Sequence, residues 1–254
     1  MRLQNKVAVI TGAASGMGLA MAELFTKEGA KVVAGDWNGE RLEAAVAKIK
    51  QNGGEIIGVQ GNIADQATAE QLVDTAYEKF GRLDILVNNA GVMDYMHGVG
   101  DMPDDIWDKV MGINLNGPMY TSRRAIARMI QQGGGSIINI ASTAGVSGGA
   151  AGAAYTVSKH GLVGLTRNTA WMYAPKGIRC NAICAGGTKT NIGESMPREK
   201  MSMEGAMRAK SFADLIPAFL DPQDIANFAL FLASDESRYI NGMIAPADGG
   251  WKAL

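Results

Sequence analysis

The sequence predicts an α/β fold: a doubly wound, mostly parallel seven-stranded sheet with helices on both faces. Three observations predict it. Short β-branched runs alternate with longer amphipathic runs along the whole chain, a pattern that implies crossover connections and a parallel sheet. The first strand-to-helix junction is rich in glycine. No linker, repeat or low-complexity segment interrupts the alternation, so residues 1–254 read as one domain.

Element by element, strands are expected over residues 7–10, 31–35, 56–60, 85–88, 136–141, 178–183 and 243–245. Helices are expected over 16–28, closed by Gly29; 40–52, ending at Gly53-Gly54; and 67–80. A long helical stretch over 103–132 carries Gly117-Pro118, where proline should bend it. The helix over 155–174 is stopped by Pro175, and a last one covers 222–234. Residues 186–220 form the one long insertion.

Composition narrows the function classes. Of 254 residues 47% are apolar, ample for a core, and 24 basic residues nearly cancel 25 acidic ones. No overall field recruits nucleic acid or an anionic membrane. No apolar run reaches bilayer length, and the chain opens straight into a strand, so a cytoplasmic protein is the default expectation. Cys180 and Cys184 share one strand face. At about 3.3 Å per residue they stand roughly 13 Å apart, beyond the ~7 Å a disulfide allows. With only two histidines and two cysteines, no metal site is expected.

The segment Thr11-Gly12-Ala13-Ala14-Ser15-Gly16-Met17-Gly18 joins the first strand to the first helix. Glycines there permit positive φ and let backbone approach a pyrophosphate seated on the helix N-terminus. Its Gly-x3-Gly-x-Gly spacing differs from the common dinucleotide fingerprint, and taken singly it could be a plain tight turn. Asp36 ends the second strand, where a carboxylate accepts hydrogen bonds from adenosine ribose hydroxyls. Alone it could be a capping residue; together the two features point to a nicotinamide dinucleotide. A 2′-phosphate beside Asp36 would meet a like charge. Neither Ser15 nor Trp37 is basic, so NAD(H) is preferred over NADP(H).

Tyr155 and Lys159 stand four apart at the start of a helix and share a face, and Ser142 ends the preceding strand. A tyrosine is a poor base at neutral pH, but a nearby ammonium would favour its phenolate. Ser142 would hold a substrate oxygen. The three make an acid–base site that needs neither metal nor histidine, suited to moving a proton while hydride passes between dinucleotide and carbonyl.

On these residues the chain resembles the short-chain dehydrogenase/reductases, in their short single-domain branch. The resemblance covers nearly the whole length. It rests on the Thr11–Gly18 loop, Asn88-Asn89-Ala90-Gly91, Asn114, Ser142, Tyr155-x3-Lys159 and the tail Asn241-Gly242…Asp248-Gly249-Gly250. It implies that Asn88, Ala90 and Gly91 lie along the cofactor, and that Asn62 and Ile63 flank adenine. Asn114 would hold a water that connects Lys159 to bulk proton exchange, and Lys159 would also bind the nicotinamide ribose. Gly186, Thr188 and Thr190 would seat the nicotinamide. Two departures stand out: Asn62 replaces the usual aspartate, and Ala185-Gly186 replaces Pro-Gly. The resemblance also implies a homotetramer; on the first long helix Met119, Ile126, Met129 and Ile130 offer apolar surface.

Residues 186–220 fall where the family has its substrate lid. They carry Met196, Met201, Met203 and Met207, and Met93, Tyr95 and Met96 should face the same cleft. Thioethers adapt to irregular apolar ligands, although these methionines could equally pack the lid onto the body. Met93, Tyr95 and Met196 are the candidate substrate contacts. The expected reaction interconverts a secondary alcohol and a ketone on a small-molecule substrate, apolar or cyclic, such as a hydroxysteroid. A 3-oxoacyl-thioester reductase is the alternative, though its usual cofactor, NADPH, is disfavoured by Asp36. A non-catalytic NAD-binding sensor would require loss of Tyr155 or Lys159.

Overall fold

The computed structural model describes residues 1–253, apart from the side chains of Ser195 and Arg198. Seven strands form one sheet: β1 (Val7–Thr11), β2 (Lys31–Asp36), β3 (Glu55–Gln60), β4 (Ile85–Asn88), β5 (Gly135–Ile140), β6 (Ile178–Ala185) and β7 (Ile244–Ala247). Their order is β3-β2-β1-β4-β5-β6-β7. The sequence implies a mostly parallel sheet, and all six ladders are in fact parallel, β7 included. Strand order reverses between β1 and β4, which opens a crevice at their carboxyl ends.

Helices α1 (Gly16–Lys27), α2 (Gly39–Gln51), α3 (Gln66–Phe80), α4 (Asp104–Met111), α5 (Gly117–Gln132), α6 (Ala153–Tyr173), α7 (Met203–Ala213) and α8 (Pro222–Ala233) complete the fold. Central strands β1 and β4 are buried along their whole length, as a sheet covered on both faces requires. Alternation along each strand sends side chains to opposite faces. Ile10, Ile138 and Ile183 pack with Met21 and Phe25 of α1 and Leu230 of α8. Val9, Leu86 and Ile137 pack with Leu72 of α3 and Met129 of α5.

The stretch expected as one helix bent at Gly117-Pro118 breaks earlier, at a π-helical turn over Gly112–Asn116. Pro118 has no N–H for the Asn114 carbonyl, four residues back. Instead the Gly117 N–H reaches Gly112 O, five residues back. The widened turn pushes Asn114 into the interior, where it is 0% exposed; such turns gather at functional sites.

Two corrections concern α5 and the lid. Ile126 and Met129 are core residues, because the face that carries them packs on the sheet and α3; Ile130 remains 40% exposed. Residues 186–220, expected as a lid, contain α7, a helix the sequence did not suggest. Cys180 and Cys184 are buried free thiols. Among the described residues no helix is long and apolar enough to cross a membrane.

Candidate active site

The glycine-rich loop leaves β1 at the switch point. Gly12 and Gly16 have φ of +64° and +52°, the left-handed region that side chains avoid. Gly18 lies beneath the loop rather than on its surface: a Cβ there would overlap Gly12 O. The loop is pinned from β4. Asn89 Nδ2 donates to Thr11 O at 2.9 Å and Gly12 O at 3.1 Å, and Thr11 Oγ1 accepts from Asn89 N and Ala90 N at 2.9 and 3.0 Å.

Asp36 ties the loop to β2. Its Oδ2 accepts from Ala14 N and its Oδ1 from Asn38 N, each at 3.0 Å. Both oxygens keep a lone pair for a further donor.

A cleft of about 640 Å³ opens here, lined by Gly12, Ser15, Gly16, Met17, Asp36, Trp37, Asn62, Ile63, Asn89, Ala90, Gly91 and Thr190. The residues fit a dinucleotide. Bare glycine backbone faces the cleft at Gly12 and Gly91, and Asn89 Oδ1 is a buried acceptor without a partner. Asn62 Oδ1 already accepts from Ala64 N at 3.1 Å, leaving one lone pair for a ligand amino group.

The Asn88 side chain turns away from the cleft. Its amide donates to Asn139 Oδ1 at 2.8 Å and Ser122 Oγ at 3.1 Å, and accepts from Thr121 at 2.6 Å. Side chains alternate along a strand, so its neighbour Asn89, absent from the expected contacts, takes the cleft side. Gly186 packs on Asp248, and Thr188 Oγ1 donates to Gly186 O. The fold adds Arg41 of α2 to the wall, joined to Glu194 of the lid at 2.9 Å. Five positions after Asp36 in sequence, Arg41 returns to the cleft one helical turn into α2.

Beyond Gly91 lie the acid–base residues. A Cβ on Gly91 would be 3.4 Å from Asn114 Oδ1 and 3.5 Å from Lys159 Nζ. Lys159 is 3% exposed. Its ammonium lies 5.5 Å from the Tyr155 ring centroid and donates to Ile140 O at 2.9 Å. Asn114 Nδ2 donates to Val92 O and Ser158 Oγ, and its Oδ1 accepts from Val92 N. Ser142 Oγ accepts from Ala144 N at 3.1 Å.

The electrostatics differ from the expectation of a lysine that draws the phenol down. Burial pushes the Tyr155 phenol up to about 12, against a smaller downward pull from the Ser142 hydroxyl. Burial also lowers the Lys159 ammonium to about 8. Desolvation disfavours each charged form and outweighs the Ser142 hydrogen bond at the phenol and the Cys184 thiol beside the ammonium.

An apolar wall surrounds the phenol. Tyr155 clusters with Tyr95, Ile106, Val110 and Ala154, and Met93, Ile192, Met196 and Met201 pack against this group. Of the four lid methionines only Met196 and Met201 face inward; Met203 and Met207 are 68% and 67% exposed. The lid is tied to the loop after β4 by Ser202 N to Tyr95 O and by His97 Nε2 to Lys200 O, both at 3.0 Å.

Comparison with known proteins gives the family. The family profile described as enoyl-(acyl carrier protein) reductase matches residues 12–252. A 3beta-hydroxysteroid dehydrogenase 2 of Eggerthella lenta is 42% identical over 99% of this chain and 96% of its own. The chain belongs to the short-chain dehydrogenase/reductase family. This short-chain dehydrogenase/reductase is thus an oxidoreductase acting on CH–OH groups. A short chain dehydrogenase of Penicillium rubens is 40% identical over 99% of both chains. Levodione reductase superposes with a TM-score of 0.90 at 34% identity, covering both chains completely. A protein described as an NAD(P) dependent gluconate 5-dehydrogenase from Beutenbergia cavernae, solved with NADP at low occupancy, has a TM-score of 0.88 at 33% identity, covering 99% of this chain and 98% of its own.

Proposed function

We propose that this short-chain dehydrogenase/reductase interconverts a secondary alcohol and a ketone on an apolar or cyclic skeleton, with NAD(H) preferred over NADP(H). The observation that carries the reading is the protonated, buried Tyr155 phenol, walled by Met93, Tyr95 and Met196 and joined through Gly91 to the dinucleotide cleft. Relatives named for a hydroxysteroid and for levodione support an apolar or cyclic substrate.

When bound, a dinucleotide would supply or take up the hydride. Ser142 donates to the substrate oxygen and holds it against the phenol. Tyr155 gives its proton to that oxygen in reduction and takes it back in oxidation. Lys159, with an ammonium that titrates near 8, stabilises the phenolate as it forms and returns the proton. It also holds the nicotinamide ribose. Asn114 spends its side chain on Val92 and Ser158. Its main-chain carbonyl, deprived by Pro118 of the usual helical donor, would hold a water that links Lys159 to solvent.

Asp36 accepts the adenosine ribose hydroxyls and repels a 2′-phosphate. Arg41, a basic residue of the cleft wall, meets Glu194 in a half-exposed ion pair. Reduction of an acyl thioester on an acidic carrier is the second reading, favoured by the description of the family profile. A homotetramer is the proposed assembly. α6 adds Val157, Trp171 and Met172, all exposed, to what α5 offers.

The test is a panel of 3-oxosteroids, cyclic diketones and an acetoacetyl thioester, followed by NADH and NADPH absorbance. Turnover of a cyclic ketone with NADH supports the reading. Turnover confined to the thioester, or to NADPH, removes it. Light scattering that finds a monomer removes the tetramer.

A further inference from the structure

Asp94, which neither the motifs nor the proposed chemistry uses, is completely buried at 0% exposure. Among the described residues no cation forms a salt bridge with it. Its carboxylate instead accepts from three main-chain N–H groups: Met96 at 3.2 Å, Gly152 at 3.2 Å and Tyr155 at 2.8 Å.

Two of these donors lie at the start of α6, on its N-cap Gly152 and in its first turn. Gly152 has no side chain to cap the helix, so the first N–H groups need acceptors from elsewhere. Asp94 supplies one from 61 residues away, and His97 O supplies another to Ala153 N at 2.8 Å. The glycine is required by the arrangement. A Cβ at 152 would come within 2.8 Å of both Asp94 oxygens and 2.6 Å of His97 O.

The loop pays a conformational penalty for this contact. Tyr95 and Met96 are consecutive non-glycine residues with φ of 59° and 64°, a left-handed conformation that persists only where the surroundings hold it. The same residues wall the substrate side and carry the lid: Tyr95 packs in the cluster around Tyr155, and Tyr95 O accepts from Ser202 N of the lid.

We propose that Asp94 is the positioning residue of the acid–base site, an external cap that fixes the main chain of Tyr155 to the substrate loop and the lid. The inference rests on the reading of Tyr155 as the proton donor. The groups that face the phenol are Lys159 on its own helix, Ser142 beyond β5 and Asp94 on the loop. The Asp94 charge favours the protonated phenol, so the cap that places the acid also keeps it an acid.

Asp94→Asn tests this, because one oxygen becomes an amide donor that faces N–H groups. Without substrate, hydrogen exchange of amides 152–155 is expected to quicken roughly tenfold or more while the amides of β1 stay unchanged. With NADH and the best cyclic ketone of the panel, kcat is expected to fall about 10- to 100-fold, with NADH affinity held within about twofold. The high-pH limb of kcat/KM should move to lower pH, because the Asp94 charge no longer opposes the phenolate. If exchange at 152–155 and the pH limb both match wild type, the proposal is overturned. Tyr155→Phe runs beside it: activity retained there removes the reading of Tyr155, whereas an inactive Tyr155→Phe beside an unaltered Asp94→Asn removes only the role of Asp94. Should Asp94→Asn not fold, Gly152→Ala crowds the same junction from the helix side, and unchanged kcat in that variant overturns the proposal.

Discussion

Replacing Lys159 with methionine should make the cofactor-free protein more stable while abolishing its activity. The ammonium is 3% exposed, has one hydrogen bond, to Ile140 O at 2.9 Å, and titrates near 8 rather than 10.5. At 1.36 kcal/mol per pH unit, that gap is worth roughly 3 kcal/mol against the folded state when the lysine is charged. Methionine removes the charge at similar length. It gives up one hydrogen bond of about 1 kcal/mol, for a net gain of about 2 kcal/mol. Near neutral pH this should raise Tm by roughly 4–8 °C for a chain of this size. The sign has its own pH signature. A lysine whose folded pKa lies below its unfolded one carries its full penalty below about 8, and the penalty fades as pH rises from there to 10.5. The advantage of Lys159→Met should therefore shrink across that window. Thermal or urea unfolding of both proteins from about pH 7 to about pH 10 measures it. An advantage independent of pH, or a variant less stable than wild type at neutral pH, would refute the assignment of a strained buried ammonium.

Further outcomes follow from the same geometry. Tyr155→Phe should lower kcat by about 10²- to 10⁴-fold and leave NADH affinity nearly intact, as a fluorescence titration would register; near-normal turnover sinks the acid–base role. Asp36→Ala should narrow the preference for NAD(H) about tenfold or more and weaken both cofactors, since Ala14 N and Asn38 N lose their acceptor; a wild type that already favours NADP(H) contradicts it. Residues 186–220 should exchange hydrogen faster in the free protein than with NADH and a cyclic ketone, and His97→Ala should hasten exchange further by removing the tie to Lys200 O. Equal, strong protection of that segment in every state would mark a fixed wall.

The linear chain exposes most of the scaffold for reasons that are local. Seven strands form at or beside the expected runs; β1 and β4, buried on both faces, need unbroken apolar runs. Gly12 and Gly16 announce a loop with positive φ, and Tyr155-x3-Lys159 puts two side chains on one helix face within a single turn. Tyr95 and Met196 are legible as candidates near the cleft, and both pack around Tyr155.

Other assignments depend on which way a side chain turns once the sheet is assembled. Asn88 and Asn89 are chemically identical neighbours, and only the pleat at the end of β4 sends one toward Thr121, Ser122 and Asn139 and the other toward the loop. Pro118 is visible in sequence, but the break it causes falls at Gly112–Asn116, because the unsatisfied carbonyl belongs to the preceding turn. Ile126 and Met129 read as surface for a partner until the packing of α5 claims them for the core.

The sequence by itself determined the parallel α/β architecture, the glycine loop, the carboxylate at Asp36 and the Ser142, Tyr155 and Lys159 set, since each is written within a few consecutive residues or repeats at a fixed period. Only the tertiary structure decided that burial raises Tyr155 and lowers Lys159, that Arg41 is held by Glu194 at the cleft, and that Asp94 caps a helix whose start lies far along the chain. Desolvation and long-range hydrogen bonding depend on which surfaces meet, and that is a property of the folded chain as a whole.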